Sequence, residues 1–445
     1  MNTMCLKAAQ GIGTKLPQST PPRMVKVRQR FATPTVDDVP QTIVNQLDKL
    51  CLPGSIAGAR IAIAVGSRGI TNIKEIVCTM VEWLKTKGAH PFIVPAMGSH
   101  GGATAEGQAQ VLAEYGITES GVGVPIVSSM DVVQVGAMGS VPVFLDKNAH
   151  EADGIVLINR IKPHTQFRSD IESGLMKLIA IGLGKDRMAG IIHSHGMRGM
   201  IELIPCAARV VLSKEKILFG LAIVENAYKQ TAALRILRPT EIESEEKILL
   251  RQAKELMPTL PADHLDLLVL DEMGKEISGP GMDSSIHGRI MLHGYPDPEK
   301  PDINLLAVLD LTEATQGNAM GLGVADLTTE RLVKKINWYK TYINTIIGGF
   351  PVQGKVPMFF PTDKELLQAA AQLIGAVPFH QARVIRAKNT LKVSELLVSE
   401  ALLPEVCDLD YVEVLGSPED WQFDEQSLLR PFPNFALSAS SGSPE

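Results

Sequence analysis

Between Asn159 and Gly196 the chain reads NRIKPHTQFRSDIESGLMKLIAIGLGKDRMAGIIHSHG, which sets His164, His193 and His195 beside Lys177 and Lys185. Imidazole titrates near neutrality and ligates metals, so this stretch can supply acid/base groups, a metal site, or ordinary loop polarity. His193 and His195 alternate around Ser194; in extended structure they share a face and can grip a metal with one further ligand, as a catalytic zinc requires. No HExxH or related signature supplies that ligand. His164 follows Pro163, whose ring stiffens the backbone that aims the imidazole, although a surface turn KPHT accounts for the same residues. Lys177 lies in LMKLIAI, where burial disfavours an ammonium unless it is paired, deprotonated or covalently used.

Two further loops carry candidates. In GSHGG the glycines supply positive φ for a turn that exposes His100, or form a backbone nest for an anion that His100 also reaches. No Gly-Lys-Ser/Thr follows, so it is not a P-loop. Arg68 in GSRGIT reads as a surface ion pair or, because it follows an apolar run, as a donor to a carboxylate or phosphate.

The elements that must position these residues are legible in outline. RIAIAV (60–65), PFIVPA (91–96) and GIVLI (154–158) are short apolar runs of the buried parallel-strand kind. Each ends in one of the three loops. After the first, Asn72 is placed to cap a helix whose apolar positions Ile73, Ile76, Val77, Met80, Val81 and Leu84 recur until Gly88; after the second, Thr104 is placed to cap another that ends at Gly116. A hairpin is expected around Gly136 to Leu145. In an open parallel sheet, loops at the carboxyl ends share one edge, which brings Arg68, His100 and His164 toward one anionic ligand. LDLLVL and INLLAVLDL repeat the pattern later, before glycine-rich polar loops. Between them and the first half, Thr240 and Glu243 are spaced as a capping box for a helix that ends near Pro258. The reading is an α/β protein of two domains with mainly parallel sheets and an interdomain cleft. Residues 25–258 form an N-terminal α/β domain with the cofactor and acid/base residues, and 259–436 a C-terminal α/β domain that closes the cleft. Flexible segments are expected at 1–24 and 437–445.

Composition narrows the classes. The 445 residues suit two α/β domains. Aromatics at 5% and a formal charge of -6 argue against a base-stacking or phosphate-tracking surface for nucleic acid. Cys5, Cys51, Cys78, Cys206 and Cys407 are scattered and form no CxxC pair, so neither a disulfide framework nor a thiolate zinc site is indicated, and a reducing cytoplasm fits. No window offers about 18 uninterrupted apolar residues for a membrane span.

SRGITN, AMGSHGGATAEGQ, NRIKPHTQF and SGLMKLIAIGLGKDRMAGIIHSH, in this order along the first half, resemble the nickel-dependent lactate racemase family and its 2-hydroxyacid racemase and epimerase relatives. The resemblance implies two α/β domains and a nickel-pincer nucleotide, a nicotinic-acid-derived mononucleotide whose sulfur and carbon atoms hold the metal, installed by cofactor-assembly proteins. It implies His100 and His164 as acid/base residues, Lys177 as the covalent tether, His193 as the nickel ligand and Arg68 as the substrate-orienting arginine. His195 and Lys185 are the neighbouring alternatives for ligand and tether. Arg289 in GMDSSIHGR, or Lys275 in GKEISG, is the expected second carboxylate donor. The chain departs from the family pattern at Ser67-Arg68-Gly69, where Thr-Arg-Pro is usual, and at Gly174-Leu175-Met176, where a Gly-Gly-Arg run precedes the tether. The function so implied is isomerisation of a 2-hydroxycarboxylate, lactate-like or a sugar acid. The alternatives are a non-catalytic small-carboxylate-binding protein and a metal-dependent hydrolase built on His193 and His195.

Overall fold

The runs that end in polar loops are the strands that set the site. The computed structural model describes residues 15–52, 54–66 and 69–435, which divide at Met257/Pro258 into two units. The unit Ala32–Met257 holds a five-stranded sheet ordered His90–Pro95, Arg60–Val65, Gly154–Arg160, Ile217–Glu225, Thr231–Leu237. The first four strands run parallel and the last is antiparallel. Val65 lies opposite Pro95 on one side and Ile158 on the other, so the loops that leave these strands open at the same sheet edge. The chain winds outward to His90–Pro95 on one side and returns as Gly154–Arg160 on the other. The switch point of the topology therefore lies beside the NRIKPH loop, the place where ligands of open α/β sheets bind.

One face of this sheet packs Ile61, Ile63 and Val65 against Ile76, Met80 and Leu84 of the helix Ile73–Thr86. Each fully buried aliphatic side chain stabilises the fold by roughly 1.5–3 kcal/mol. The other face receives the segment that carries Lys177. Gly220 makes room for it, since a Cβ there would stand 2.7 Å from Leu175 Cδ1.

The helix starts differ in how they are capped. Thr104 caps Ala105–Glu114, its Oγ1 accepting from Gly107 N at 3.0 Å. Asn72 precedes its helix in the left-handed region, at φ 61°, and its side chain makes no cap bond, contrary to expectation. The expected capping box is absent as well. The helix Ile242–Glu255 begins after Glu241, and Glu243 instead pairs with Arg209 at 2.6 Å, a tertiary partner that outcompetes the local one.

The second unit gathers the chain from Pro258 together with the described residues before Ala32. Its eight-stranded sheet is ordered Met358–Phe360, Leu327–Thr329, Asp302–Val308, His264–Leu270, Val384–Asn389, Lys392–Ser399, Met24–Gln29, Val412–Val414. The first five strands are parallel, the rest antiparallel. Residues 25–31 thus belong to the C-terminal unit and not to the N-terminal one: Met24–Gln29 is completed by Lys392–Ser399 and Val412–Val414, with Val25 and Val27 fully buried. Both sheets are mainly parallel and carry helices, as an α/β fold requires. Among the described residues no helix is long and apolar enough to cross a membrane.

Candidate active site

The loop after Gly154–Arg160 is built around a buried carboxylate. Glu172, fully buried, accepts from His164 N at 2.6 Å and from Ser169 N at 3.2 Å, and pairs with Lys254 at 2.7 Å. Lys162 N donates to Ser173 O at 2.8 Å and closes the loop at its base. The guanidinium of Arg168 donates to the carbonyls of His164 and Phe167. Within this frame the His164 ring stacks at a tilt on Phe167, with centroids 4.4 Å apart. Its Nδ1 accepts from Gln166 N at 3.2 Å, so the neutral ring carries its proton on Nε2. Burial holds the His164 pKa well below the ordinary value, and the charges of Lys177, Lys162, Arg168 and His193 push it the same way. Those charges also make the surroundings of the ring attractive to an anion.

Lys177 ends the short helix Leu175–Lys177 and leads into the π-helical turn Leu178–Gly182. From Gly174 to Lys185 every residue is buried except Lys177, which is half-buried and so reaches out of an otherwise closed segment. π-Turns inside helices recur at functional sites. The start of this helix is held by Asn159, whose Nδ2 donates to Gly174 O at 2.7 Å, and by the fully buried Glu246, which accepts from Met176 N at 2.9 Å. Burial raises the Glu246 carboxyl to about 7, against the hydrogen bonds from the helix N–H groups.

His193 lies in the last turn of the helix Lys185–Ser194 and His195 just past its end. The shared face expected of an extended segment does not exist, because helical geometry turns residues two apart to nearly opposite sides. His195 is exposed and donates from Nδ1 to Ile191 O at 2.8 Å. His193 is half-buried, and burial followed by the charge of Lys177 lowers its pKa. Among the described residues no three His, Cys, Asp or Glu side chains gather to hold a metal. A hydrolase built on His193 and His195 therefore lacks its ligand set there. Lys185, the alternative tether, is fully buried against Asp146 at 3.1 Å and donates to Pro95 O.

His100 stands exposed on the neighbouring loop, after Gly98 at φ 61°. That loop rests on the π-turn: Gly98 N donates to Gly182 O at 3.2 Å, and a Cβ on Gly98 would meet Ile181 Cγ2 at 2.8 Å. His164, Lys177 and His193 form one electrostatic cluster, and the π-turn that Lys177 leads into supports the His100 loop. Arg68 lies outside the described residues.

In the second unit Arg289, expected as a donor to a substrate carboxylate, directs its guanidinium to groups of the protein itself. Its terminal nitrogens bond Asp326 Oδ2 at 2.6 Å, Val324 O at 3.0 Å, Ile303 O at 2.9 Å and Asn304 O at 2.7 Å, a clamp on strand ends. Lys275 is half-buried in the loop after His264–Leu270, its Nζ 3.6 Å from Met320 Sδ. Glu172, Glu246 and Gln108, which hold the site loops, were not among the sequence candidates. Their one signal is a polar residue within an apolar helical or loop pattern.

The geometry defines an α/β protein whose candidate site lies at the carboxyl ends of parallel strands. No protein-family model matches the chain, and no curated protein matches it. Among solved structures it is similar to the lactate racemase apoprotein from Thermoanaerobacterium thermosaccharolyticum, with a TM-score of 0.50 and 12% identity, covering 83% of this chain and 99% of that one. At that identity the likeness shows the fold, which is lactate-racemase-like.

Proposed function

We propose that the protein is a racemase or epimerase of a 2-hydroxycarboxylate, lactate-like or a sugar acid, and that it works with a nickel-pincer nucleotide tethered to Lys177. The observation that carries this reading is the convergence of His164, Lys177 and His193 beside the topological switch point. The similarity in fold to a lactate racemase apoprotein supports it.

The donor set fits such a group. Lys177 is the one residue of a buried run that reaches outward, which suits a covalent tether. His193, its pKa lowered by burial, offers the neutral imidazole that metal ligation requires. A metal already held by atoms of the nucleotide needs few protein ligands, in keeping with the absence of a three-residue cluster among the described residues. When bound, such a group would supply a reversible hydride acceptor for the carbinol carbon.

The chain's own residues do the rest. Lys162 and Arg168 surround His164 with positive charge that favours a carboxylate. Arg68 is assigned to orient that carboxylate, so that the carbon stays placed while its hydrogen changes face. His164, neutral with its proton on Nε2, can donate a hydrogen bond to the substrate oxygen; to take the hydroxyl proton at Nε2 it must change tautomer and release Gln166 N, and the imidazolium so formed returns a proton in the reverse step. His100 serves the other face.

Protein made together with the cofactor-assembly enzymes should carry nickel and an added mass on Lys177, and should interconvert the enantiomers or C2 epimers of a 2-hydroxy acid by chiral chromatography. Neither mass nor nickel in a protein that still binds 2-hydroxycarboxylates would make it a binding protein instead.

A further inference from the structure

Lys185 carries a cluster that the chemistry above does not use. It is the one lysine among the described residues that is fully buried, and Asp146 and Gln108 beside it are fully buried too. The Lys185 ammonium donates to two acceptors and pairs ionically with a third group, each on a different element. They are Pro95 O at the end of the strand His90–Pro95, Gln108 Oε1 at 3.2 Å on the helix Ala105–Glu114, and Asp146 Oδ2 at 3.1 Å at the end of the strand Val141–Asp146. The Asp146 contact is ionic rather than directed, since its geometry makes no hydrogen bond. Burial disfavours both charges, raising the carboxyl and lowering the ammonium, while their attraction opposes each shift.

A buried ion pair of this kind is a poor source of net stability compared with apolar packing. Lys185 also holds a left-handed backbone at φ 54°, uncommon for any residue but glycine. The arrangement does achieve orientation. Because Gln108 Oε1 accepts from Lys185, its amide can face only one way, and Nε2 is turned to Gly98 O at 2.7 Å and His100 O at 3.3 Å. Those carbonyls flank Ser99 in the loop that bears His100. The start of the loop, at Pro95 O, is held by Lys185 itself.

We infer that Lys185 and Gln108, backed by Asp146, are positioning residues that fix the backbone of the Gly98–Gly102 loop and thereby aim His100. That His100 takes part in chemistry rests on the function proposed above; that the loop is clamped does not.

The test uses full-length protein with Gln108→Met, which keeps side-chain volume and removes the amide. Lys185→Arg is the second variant, keeping the charge while changing the donor geometry. In protein without cofactor, amide exchange by mass spectrometry should quicken in peptides over 97–103 by roughly tenfold or more, with the strand Arg60–Val65 unchanged. In cofactor-loaded enzyme, kcat should fall roughly 10²-fold with KM nearly unchanged, the cost of a misplaced catalytic group. Gln108→Met should slow the residual His100-dependent half-reaction of a His100→Ala enzyme no further, because the two changes remove the same contribution. Unchanged exchange over 97–103 in both variants overturns the clamp, whatever the activity. Quickened exchange with full additivity of the kinetic losses overturns the aiming of His100. Quickened exchange with wild-type turnover in His100→Ala keeps the clamp and removes the acid/base reading instead.

Discussion

Lys177 and Lys185 sit eight positions apart in similar apolar surroundings, and the sequence alone left either as the tether. The structure separates them by burial. Lys185 is enclosed by Pro95 O, Gln108 Oε1 and the Asp146 carboxylate, whereas Lys177 is half-buried and its charge acts on His164 and His193. Lys177→Ala should therefore abolish the covalent mass addition in protein made with the assembly enzymes. Lys185→Ala should keep the addition but lower stability by roughly 3–5 kcal/mol, because it strands the Asp146 carboxylate without its partner. Loss of the adduct in a folded Lys185→Ala protein would reassign the tether. A second prediction at this scale concerns the two histidines. If each serves one face, removing either should stop net interconversion, while hydride transfer from one pure enantiomer survives in His100→Ala and from the other in His164→Ala. The affected half-reaction should slow by roughly 10²- to 10⁴-fold, as for loss of a general acid or base. Single-turnover measurement with each enantiomer decides it, and equal slowing of both enantiomers in either variant rules out one base per face.

The element that presents Lys177 depends on a residue far along the chain. Glu246, on Ile242–Glu255, accepts from the N–H groups at the start of Leu175–Lys177, while its Oε1 is buried without a partner. Its carboxyl is raised from 4.5 to about 7 by burial. The folded protein then holds this proton more tightly than the unfolded chain does. The stabilisation is complete below the unfolded value and is lost as pH rises from about 4.5 through about 7, a change of roughly 3 kcal/mol. Glu246→Gln should flatten the stability profile by about that amount between pH 5 and 8, measured by urea unfolding. An unaltered slope would show that Glu246 titrates normally. Glu246 also shows where sequence reading stops. The strands, the Ile73–Thr86 helix and the cluster of His164, Lys177 and His193 follow from apolar periodicity and from polar residues grouped in one loop and helix. The contacts of Glu246 with Met176 and of Lys185 with Pro95 join residues 70 and 90 positions apart, which no local pattern encodes. For the same reason Arg289 looked like a donor to a ligand: a loop arginine reads alike whether it faces solvent or, as here, the carbonyls of Ile303, Asn304 and Val324. The pairing of Glu243 with Arg209 displaced the expected capping box in the same way.

For the whole molecule, chain order and unit membership part company at the N-terminus. The strand Met24–Gln29 precedes every element of the five-stranded sheet, yet it lies between Lys392–Ser399 and Val412–Val414 of the eight-stranded one. An alternating run of this kind, MVKVRQ, reveals that a strand forms but not which sheet completes it. Completion comes from partners almost the full length of the chain away, so closing that loop is an entropic cost carried by the C-terminal unit. Val25 and Val27 are fully buried against Leu265, Leu268, Ile385 and Leu396 of that unit. Val27→Asp should thus place an unpaired carboxylate in this core and cost several kcal/mol. The loss should be local to the unit it completes. Native-state amide exchange should quicken across Leu265–Leu270 and Val384–Asn389, while Ile61–Val65 and Ile155–Ile158 keep their protection. A Val27→Asp protein that instead loses protection in Ile61–Val65 to the same degree would show that the two units unfold as one, and unchanged exchange everywhere would show that Met24–Gln29 does not complete the sheet in solution.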